Sequence, residues 1–184
     1  AMVDVFCKGA HPGRIAAVYG QDRLYAHPER LVTLLDNHDL PRLATVCGGT
    51  GPRTRAALAF LFASRGVPSL NYGTEAGLEG ANEPENRADL PWGAELPLRD
   101  VIAEGLALRR AHPALEAGTT RVVRADETSL VRPLLASSAL GSVLRENTPY
   151  PPSRAVHPLP AQPGVRLTCA LQGTELEKPA VRMV

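Results

Sequence analysis

The sequence predicts an α/β fold, and this prediction rests on two observations. Two short apolar runs, at 31–35 and 67–73, are separated by a longer apolar pattern of helical length. A helix between two strands places them side by side in the same direction, because parallel strands need a long crossover connection. With 184 residues and 44% apolar content, the chain can also bury an ordinary hydrophobic core.

The first predicted elements are a helix, a loop and a strand. Ala1–Cys7 mixes apolar and acidic positions as a helix does, and Gly9 ends it. The segment from there to about Arg30 is rich in glycine, histidine, proline and arginine, which is typical of a loop. The run LVTLL at 31–35 lacks polar alternation and therefore predicts a strand buried on both faces.

A second helix and a second strand complete the α/β unit. Pro52 suits the first turn of a helix over 52–65, and Gly66 ends it. The run VPSLNYG at 67–73 is short and apolar and predicts the second strand.

A long loop and a third helix follow. Thr74–Glu95 is polar and too long for a simple connection, so we expect it to have a function. An amphipathic helix begins at Pro97 and ends near His112, because Pro113 cannot continue it.

The character of the chain changes beyond Gly118. Eight of the 17 prolines follow residue 125, and the apolar residues fall in short runs such as SLVRPLL, GSVLR, VRLTCAL and AVRMV. These runs predict a small all-β domain over 118–184, in which the proline-rich segment 148–164 forms a surface loop. Residues 1–117 are the α/β part.

Composition excludes several classes of function. The net charge is +1 with both signs interleaved, which predicts no nucleic-acid partner and no basic membrane anchor. Neither a run of roughly 20 apolar residues nor a signal-peptide pattern occurs, so no membrane partner is expected. Three cysteines without metal-binding spacing predict reduced thiols in a cytoplasmic protein.

The candidate chemistry lies directly after the first strand, in Asp36–Asp39. On a parallel sheet these side chains stand at the C-terminal edge, where barrel enzymes keep their sites. An imidazole and a carboxylate suit a sugar, because one donates to a hydroxyl and the other accepts from two more. Taken alone, a His–Asp pair such as His38–Asp39 at the end of a strand is more often a loop cap than a catalytic pair.

Four segments resemble the α-amylase family of glycoside hydrolases, in the family's order and spacing. LLDNHDLPR resembles the region FxDNHDxxR, and GVPSLNYGTEAGLEG resembles GxPxxYYGxExG with Asn71 in place of a tyrosine. NEPENRADLPW is similar to DPxNRxxMxW, with Glu83 and Leu90 replacing aspartate and methionine. GLALRRAHPALEAG resembles LxxLRxxHPALxxG.

The resemblance implies the C-terminal portion of a (β/α)8 TIM barrel, strands seven and eight with their helices, over 1–117. The segment 118–184 would then belong to the family's C-terminal β-domain. The implied activity is retaining, double-displacement cleavage or transfer of α-glucosidic linkages in starch-like oligosaccharides or polysaccharides. The implied partner is an α-glucan or maltooligosaccharide. No cofactor is expected, although Ca²⁺ serves some full-length members.

The resemblance also implies that part of the active site lies elsewhere. The family's nucleophile and general acid come from strands four and five, and nothing here matches their motifs. We therefore expect an inactive fragment that needs the N-terminal part of the barrel. The alternative is a non-catalytic amylase-like relic used for carbohydrate binding or as a structural partner.

By resemblance, Asp39 is the transition-state stabiliser that holds the 2- and 3-hydroxyls of the distorted sugar. His38 is its hydrogen-bonding neighbour, and Asn37 belongs to the same substrate-binding segment. Glu83 and Arg87 match positions that contact the next sugars in some members. They could equally form an ion pair that rigidifies the loop.

Four further residues have alternative roles. Arg42 either orients the Asp39 carboxylate or binds a backbone carbonyl, and Tyr72 is either a sugar platform or core. Trp92 could also be a sugar platform, but we expect it in the core, and we expect Glu75 to be a structural hydrogen-bonding group rather than a general acid.

Overall fold

The computed structural model describes residues 1–90, 92–120, 122, 124–125, 129–135, 165–170 and 182–183. The helices are α1 (Met2–Lys8), α2 (Gly13–Gly20), α3 (Leu43–Cys47), α4 (Pro52–Phe62), α5 (Arg99–Ala111) and α6 (Ala114–Ala117). The strands are β1 (Val32–Leu34), β2 (Val67–Ser69), β3 (Thr119–Thr120), β4 (Arg124–Ala125), β5 (Ser129–Leu135), β6 (Val165–Ala170) and β7 (Arg182–Met183). Single 3-10 turns lie at Asp22–Leu24, Pro28–Arg30 and Glu85–Arg87.

Strands β1 and β2 form a parallel pair with Val32 opposite Val67 and Leu34 opposite Ser69. Helix α4 lies between them in sequence, so the predicted strand–helix–strand unit is confirmed. Both strands are shorter than predicted, with three residues each. Their C-terminal ends lie at the same edge and place the following loops side by side.

The prediction that β1 is buried on both faces is wrong. Val32 is 62% exposed and Leu34 is 38% exposed, whereas Leu35 just beyond the strand is buried. Among the described residues β2 alone pairs with β1, and the helical core takes in only Leu35 from this run. Val67 of β2 is 52% exposed as well.

Helix α4 is the centre of the core, with α1 on one side and α5 on the other. The rings of Phe6 and Phe60 lie 5.2 Å apart, centroid to centroid. A Cβ on Gly105 would lie 2.4 Å from the ring of Phe62, so glycine allows α5 to approach α4. Helix α4 ends three residues earlier than predicted, and α5 begins two residues later.

Two helices fall where the sequence predicts only loop. Helix α2 forms because Ile15 and Tyr19, one helical turn apart, are both buried against the core. The Tyr19 hydroxyl donates to Ser64 Oγ at 3.0 Å, which ties α2 to the residues after α4. The five residues of α3 are too few for a periodic pattern to reveal.

The prediction of three reduced cysteines is also wrong. Cys7 of α1 and Cys47 of α3 form a disulfide, with their Cα atoms 4.3 Å apart and a separation of 40 positions in sequence. Both are buried because α1 packs against α3. The cytoplasmic location therefore stays a prediction that this cysteine pair no longer supports.

A buried arginine fixes the entry to β2. The Arg109 guanidinium donates to the carbonyl oxygens of Phe62, Ser64, Gly66 and Leu115 at 3.0, 2.8, 2.7 and 2.9 Å. Burial lowers the pKa of Arg109 from its usual value. Gly66 has a φ of 93°, and a Cβ there would lie 2.3 Å from the carbonyl oxygen of Leu31. The connection from α4 to β2 is therefore closely fitted.

The later strands form an antiparallel sheet in the order β3, β5, β6, β7, and β4 also pairs with β5. The runs at 129–135 and 165–170 thus form strands, while 141–145 and the proline-rich 148–164 lie outside the described residues. The domain boundary near Gly118 stays a prediction. In the described part of the chain, no helix is both long and apolar enough to cross a membrane.

Candidate functional site

Two loops meet beyond the C-terminal ends of β1 and β2, the first at residues 36–42 and the second at residues 74–95. The backbone N–H of Arg42 donates to the Gly80 carbonyl at 2.9 Å, and the Gly80 N–H donates to Thr45 Oγ1 at 2.8 Å. A Cβ on Gly80 would lie 2.4 Å from the Glu85 carbonyl oxygen. Only glycine allows this approach, so the second loop folds back over the first.

Beneath the surface, Asp36 anchors the first loop. Its Oδ2 accepts the Leu43 N–H at 2.7 Å, at the first turn of α3, and lies 3.8 Å from Arg42 Nε. Burial raises the pKa of the Asp36 carboxyl, while the Leu43 N–H and the Arg42 charge oppose that rise. This carboxylate is therefore part of the frame below the exposed groups.

Arg42 is fully buried. Its Nη2 donates to the Tyr72 carbonyl, and its guanidinium lies 5.2 Å from the centroid of the Tyr72 ring. Its Nε and Nη1 make no hydrogen bond to the described residues. Of the two predicted roles, the structure shows the contact with a backbone carbonyl.

The exposed groups of the first loop are His38 and Asp39. His38 Nε2 lies 3.3 Å from Asp39 Oδ2, and both side chains are more than half exposed. The side chain of Asn37 points back into its own loop, where Oδ1 accepts the Asp39 N–H at 2.9 Å. This Asx-type turn fixes the peptide of Asp39.

The second loop adds Arg87 and Glu83 to the same patch. Arg87 Nη2 lies 3.1 Å from Asp39 Oδ1, and Nη1 lies 3.4 Å from Glu83 Oε1. Arg87 Nε also donates to the His38 carbonyl at 3.1 Å. The ion pair that the sequence offered as one alternative is therefore present, and it extends to Asp39.

The structure adds Asn86, which the sequence analysis did not select. This residue is 3% exposed, and its Nδ2 donates to the carbonyls of His38 and Leu40, both at 3.1 Å. Asn86 directly precedes Arg87 in NEPENRADLPW, the segment that resembles DPxNRxxMxW. This position was the signal in the sequence that could have identified it. Sequence reasoning selected the charged neighbours because their chemistry is more conspicuous.

Three other candidates are placed as follows. Tyr72 is 44% exposed, and its hydroxyl donates to the Ala88 carbonyl at 3.0 Å, which joins it to the second loop. The prediction that Trp92 is core is wrong, because its side chain is 88% exposed at the end of that loop. Glu75 accepts the Leu98 N–H through its backbone carbonyl at 3.2 Å.

The site thus presents a carboxylate, an imidazole and a guanidinium in one exposed patch. Carboxylate oxygens accept from hydroxyl groups, and the arginine fork donates to hydroxyl pairs. Within the described residues, no three histidine, cysteine or acidic side chains cluster to hold a metal ion. The arrangement suits a ligand rich in hydroxyl groups.

Comparison with known proteins finds one matching family model and several similar enzymes. The family model described as "Alpha amylase, catalytic domain" matches residues 20–110. The cyclomaltodextrin glucanotransferase of Bacillus sp. (strain 1011) is 38% identical over 109 residues, which cover 59% of this chain and 15% of that enzyme. The alpha-amylase of Niallia circulans is 41% identical over 91 residues, which cover 49% of this chain and 17% of that enzyme. This chain spans less than a fifth of either relative.

A solved structure supports the fold. The Anoxybacillus alpha-amylase superposes with a TM-score of 0.68 at 24% identity, over 74% of this chain and 31% of that chain. This similarity shows an amylase-like fold.

Proposed function

We propose that this chain is the C-terminal part of a retaining glycoside hydrolase or transglycosylase of the alpha-amylase family, whose catalytic-domain model matches residues 20–110. Its substrates are α-glucans or maltooligosaccharides, as the names of its amylase and cyclomaltodextrin glucanotransferase relatives indicate. The observation that carries the proposal is the His38–Asp39 pair at the C-terminal end of β1, with Arg87 bonded to Asp39.

Asp39 acts on the sugar at which the bond breaks. Its carboxylate accepts hydrogen bonds from two neighbouring hydroxyls, while His38 donates to another. These bonds strengthen as the ring flattens toward an oxocarbenium-like state, so they accelerate the reaction as well as bind the substrate. Because Asp39 and His38 are more than half exposed, substrate can reach them from solvent.

Arg87 and Glu83 bind the next sugars along the chain of the substrate. The fork of Arg87 already spans from Asp39 to Glu83, so a sugar that enters exchanges one ion-pair contact for hydroxyl contacts. Exposed ion pairs are worth little in water, typically about 0–1 kcal/mol, and this exchange therefore costs little.

The nucleophile and the general acid come from outside the 184 residues. A retaining glycosidase needs these two carboxyl groups about 5 Å apart. The exposed faces of Val32, Leu34 and Val67 support this view, because parallel strands are normally covered on both sides. We propose that the N-terminal part of a barrel covers β1 and β2 and completes the site.

The test compares two polypeptides, the 184-residue chain and the product of the complete reading frame that contains it. Each is incubated with starch, pullulan and maltose, and released reducing sugar is measured. We expect release from the longer polypeptide alone.

Three results would count against this proposal. Release of sugar by the 184-residue chain would show that the bond-breaking groups lie within it. A reading frame without a GxRxDxxxH segment would leave the reaction without a nucleophile. Binding of maltooligosaccharide without hydrolysis by either polypeptide would favour the alternative of a non-catalytic relic.

A further inference from the structure

We infer that Asn86 is a positioning residue, which holds the peptide of Asp39 in place for the transition state. The inference rests on the proposed function, since it concerns the same site. It assigns a role to a side chain that carries no charge. Its donors reach only backbone carbonyls, those of His38 and Leu40.

The geometry encloses Asp39 from both sides. One amide nitrogen of Asn86 bonds the carbonyl before Asp39 and the carbonyl after it, each at 3.1 Å. The N–H of Asp39 itself donates to Asn37 Oδ1 at 2.9 Å. Three hydrogen bonds therefore fix the peptide groups 38–39 and 40–41, which lie before and after the one that joins Asp39 to Leu40, while the carboxylate stays exposed.

Asn86 is better suited to this task than the neighbouring Arg87. Asn86 is 3% exposed, so its hydrogen bonds are shielded from water and cannot be replaced by solvent without opening the loop. Arg87 is 43% exposed and binds the carboxylate that a substrate must reach. Asn86 can keep its contacts throughout the reaction, whereas Arg87 has to share its own.

The turn that carries Asn86 is also held by close packing of its backbone. The backbone of Asn86 and Glu85 lies against Gly80, where a Cβ would come within 2.4–2.5 Å of it. The turn that carries Asn86 is thus pressed against the start of the second loop, which is bonded in turn to Arg42 and Thr45. A displacement of Asn86 is transmitted directly to the segment that holds Asp39.

The experiment uses the polypeptide of the complete reading frame with two variants, Asn86→Ala and Asn86→Asp. The second keeps the shape of the side chain but loses the donors. Asn82→Ala is the control, because Asn82 is an exposed asparagine in the same loop. Steady-state kinetics on soluble starch are combined with hydrogen exchange, read by mass spectrometry on peptides that cover 36–42 and α4.

We expect kcat to fall about 100-fold in both variants with KM changed much less, because a misplaced group is felt mainly in the transition state. Exchange in the 36–42 peptide should rise about tenfold while α4 keeps its protection. Asn82→Ala should match the parent polypeptide in both measurements.

The inference is overturned if 36–42 exchanges as in the parent, if α4 loses protection equally, or if KM rises while kcat holds. The last result would describe a substrate-binding residue. If the parent polypeptide has no activity on α-glucans, the proposed function fails. The exchange of 36–42 then still decides whether Asn86 positions Asp39.

Discussion

A buried arginine lies at each end of β2, Arg109 at the N-terminal end, or entry, and Arg42 beyond the C-terminal end, or exit. The two arginines differ in the number of hydrogen bonds that they make. At the entry, Arg109 donates four hydrogen bonds to carbonyls. Beyond the exit, Arg42 has one carbonyl, the Tyr72 ring and the Asp36 carboxylate at 3.8 Å, and two of its nitrogens have no hydrogen bond to the described residues.

This difference indicates that the two ends of β2 have different roles. At the entry, the Arg109 guanidinium bonds only to backbone carbonyls, and Arg65, next to Gly66, pairs with Asp22. The exit supports His38, Asp39 and Arg87, whose charges face solvent. Parallel α/β enzymes place sites at the C-terminal ends of strands and stabilising contacts at the other end, which is the arrangement seen here.

The largest expected effect on stability comes from breaking the entry. Arg109→Met keeps much of the packing of the stem but leaves four carbonyls without a donor, so the free energy of unfolding should fall by about 3–5 kcal/mol. Urea denaturation measures this loss, with Arg110→Met as the control because Arg110 is exposed. Equal losses in the two variants would contradict the role assigned to Arg109.

A smaller loss of stability is expected when the disulfide between Cys7 and Cys47 is removed. Cys7→Ser with Cys47→Ser should lower the free energy of unfolding by about 2–4 kcal/mol, because the disulfide restricts the unfolded chain. Thiol labelling in denaturant without reductant should modify one of the three cysteines. Three labelled thiols would show that the pair is reduced and would restore the prediction made from the sequence.

The parallel pair could be predicted because its signals are local. Two apolar runs, a helical pattern and a glycine before the second strand define the unit without knowledge of anything distant. The His38–Asp39 segment was found for the same reason, since its residues are adjacent in sequence. Its roles in binding and catalysis remain predictions.

The features that the sequence did not reveal depend on distant contacts. The hydrogen bonds of Asn86 join residues 46 and 48 positions apart, and the disulfide joins residues 40 apart. Nothing in the local pattern around an asparagine or a lone cysteine specifies such a partner. Exposure of Val32 and Trp92 likewise depends on what packs over them, which no local pattern contains.

The smallest expected effect on stability comes from the ionisation of Asp36, below the exit of β2. Burial raises the pKa of Asp36 above 3.8, so the folded chain holds this proton more tightly than the unfolded chain does. The free energy of unfolding therefore falls as the pH rises through the pKa of Asp36 in the folded chain, because the carboxyl becomes ionised there. Relative to Asp36→Asn, the parent chain should lose stability between a pH below 3.8 and neutral pH, as measured by urea denaturation at each pH.

A second variant, Asp100→Asn, provides a comparison in which stability should change with pH in the opposite direction. A hydrogen bond from Arg55 lowers the pKa of Asp100, so this carboxylate contributes stability at neutral pH that is lost as the pH falls. Relative to Asp100→Asn, the parent should therefore gain stability over the same rise in pH. The same sign for both comparisons would contradict the burial argument for Asp36.

The most direct test of the account is the activity of Asp39→Asn in the polypeptide of the complete reading frame. The substitution keeps the shape of the side chain and removes the charge that, in the proposed function, stabilises the oxocarbenium-like state. We predict that kcat on soluble starch falls on the order of 10²–10³-fold while the free energy of unfolding stays within about 0.5 kcal/mol of the parent. The control Asp89→Asn, an exposed acid in the second loop, should keep parental activity. Parental kcat in Asp39→Asn would contradict the proposed role of Asp39 as the transition-state stabiliser.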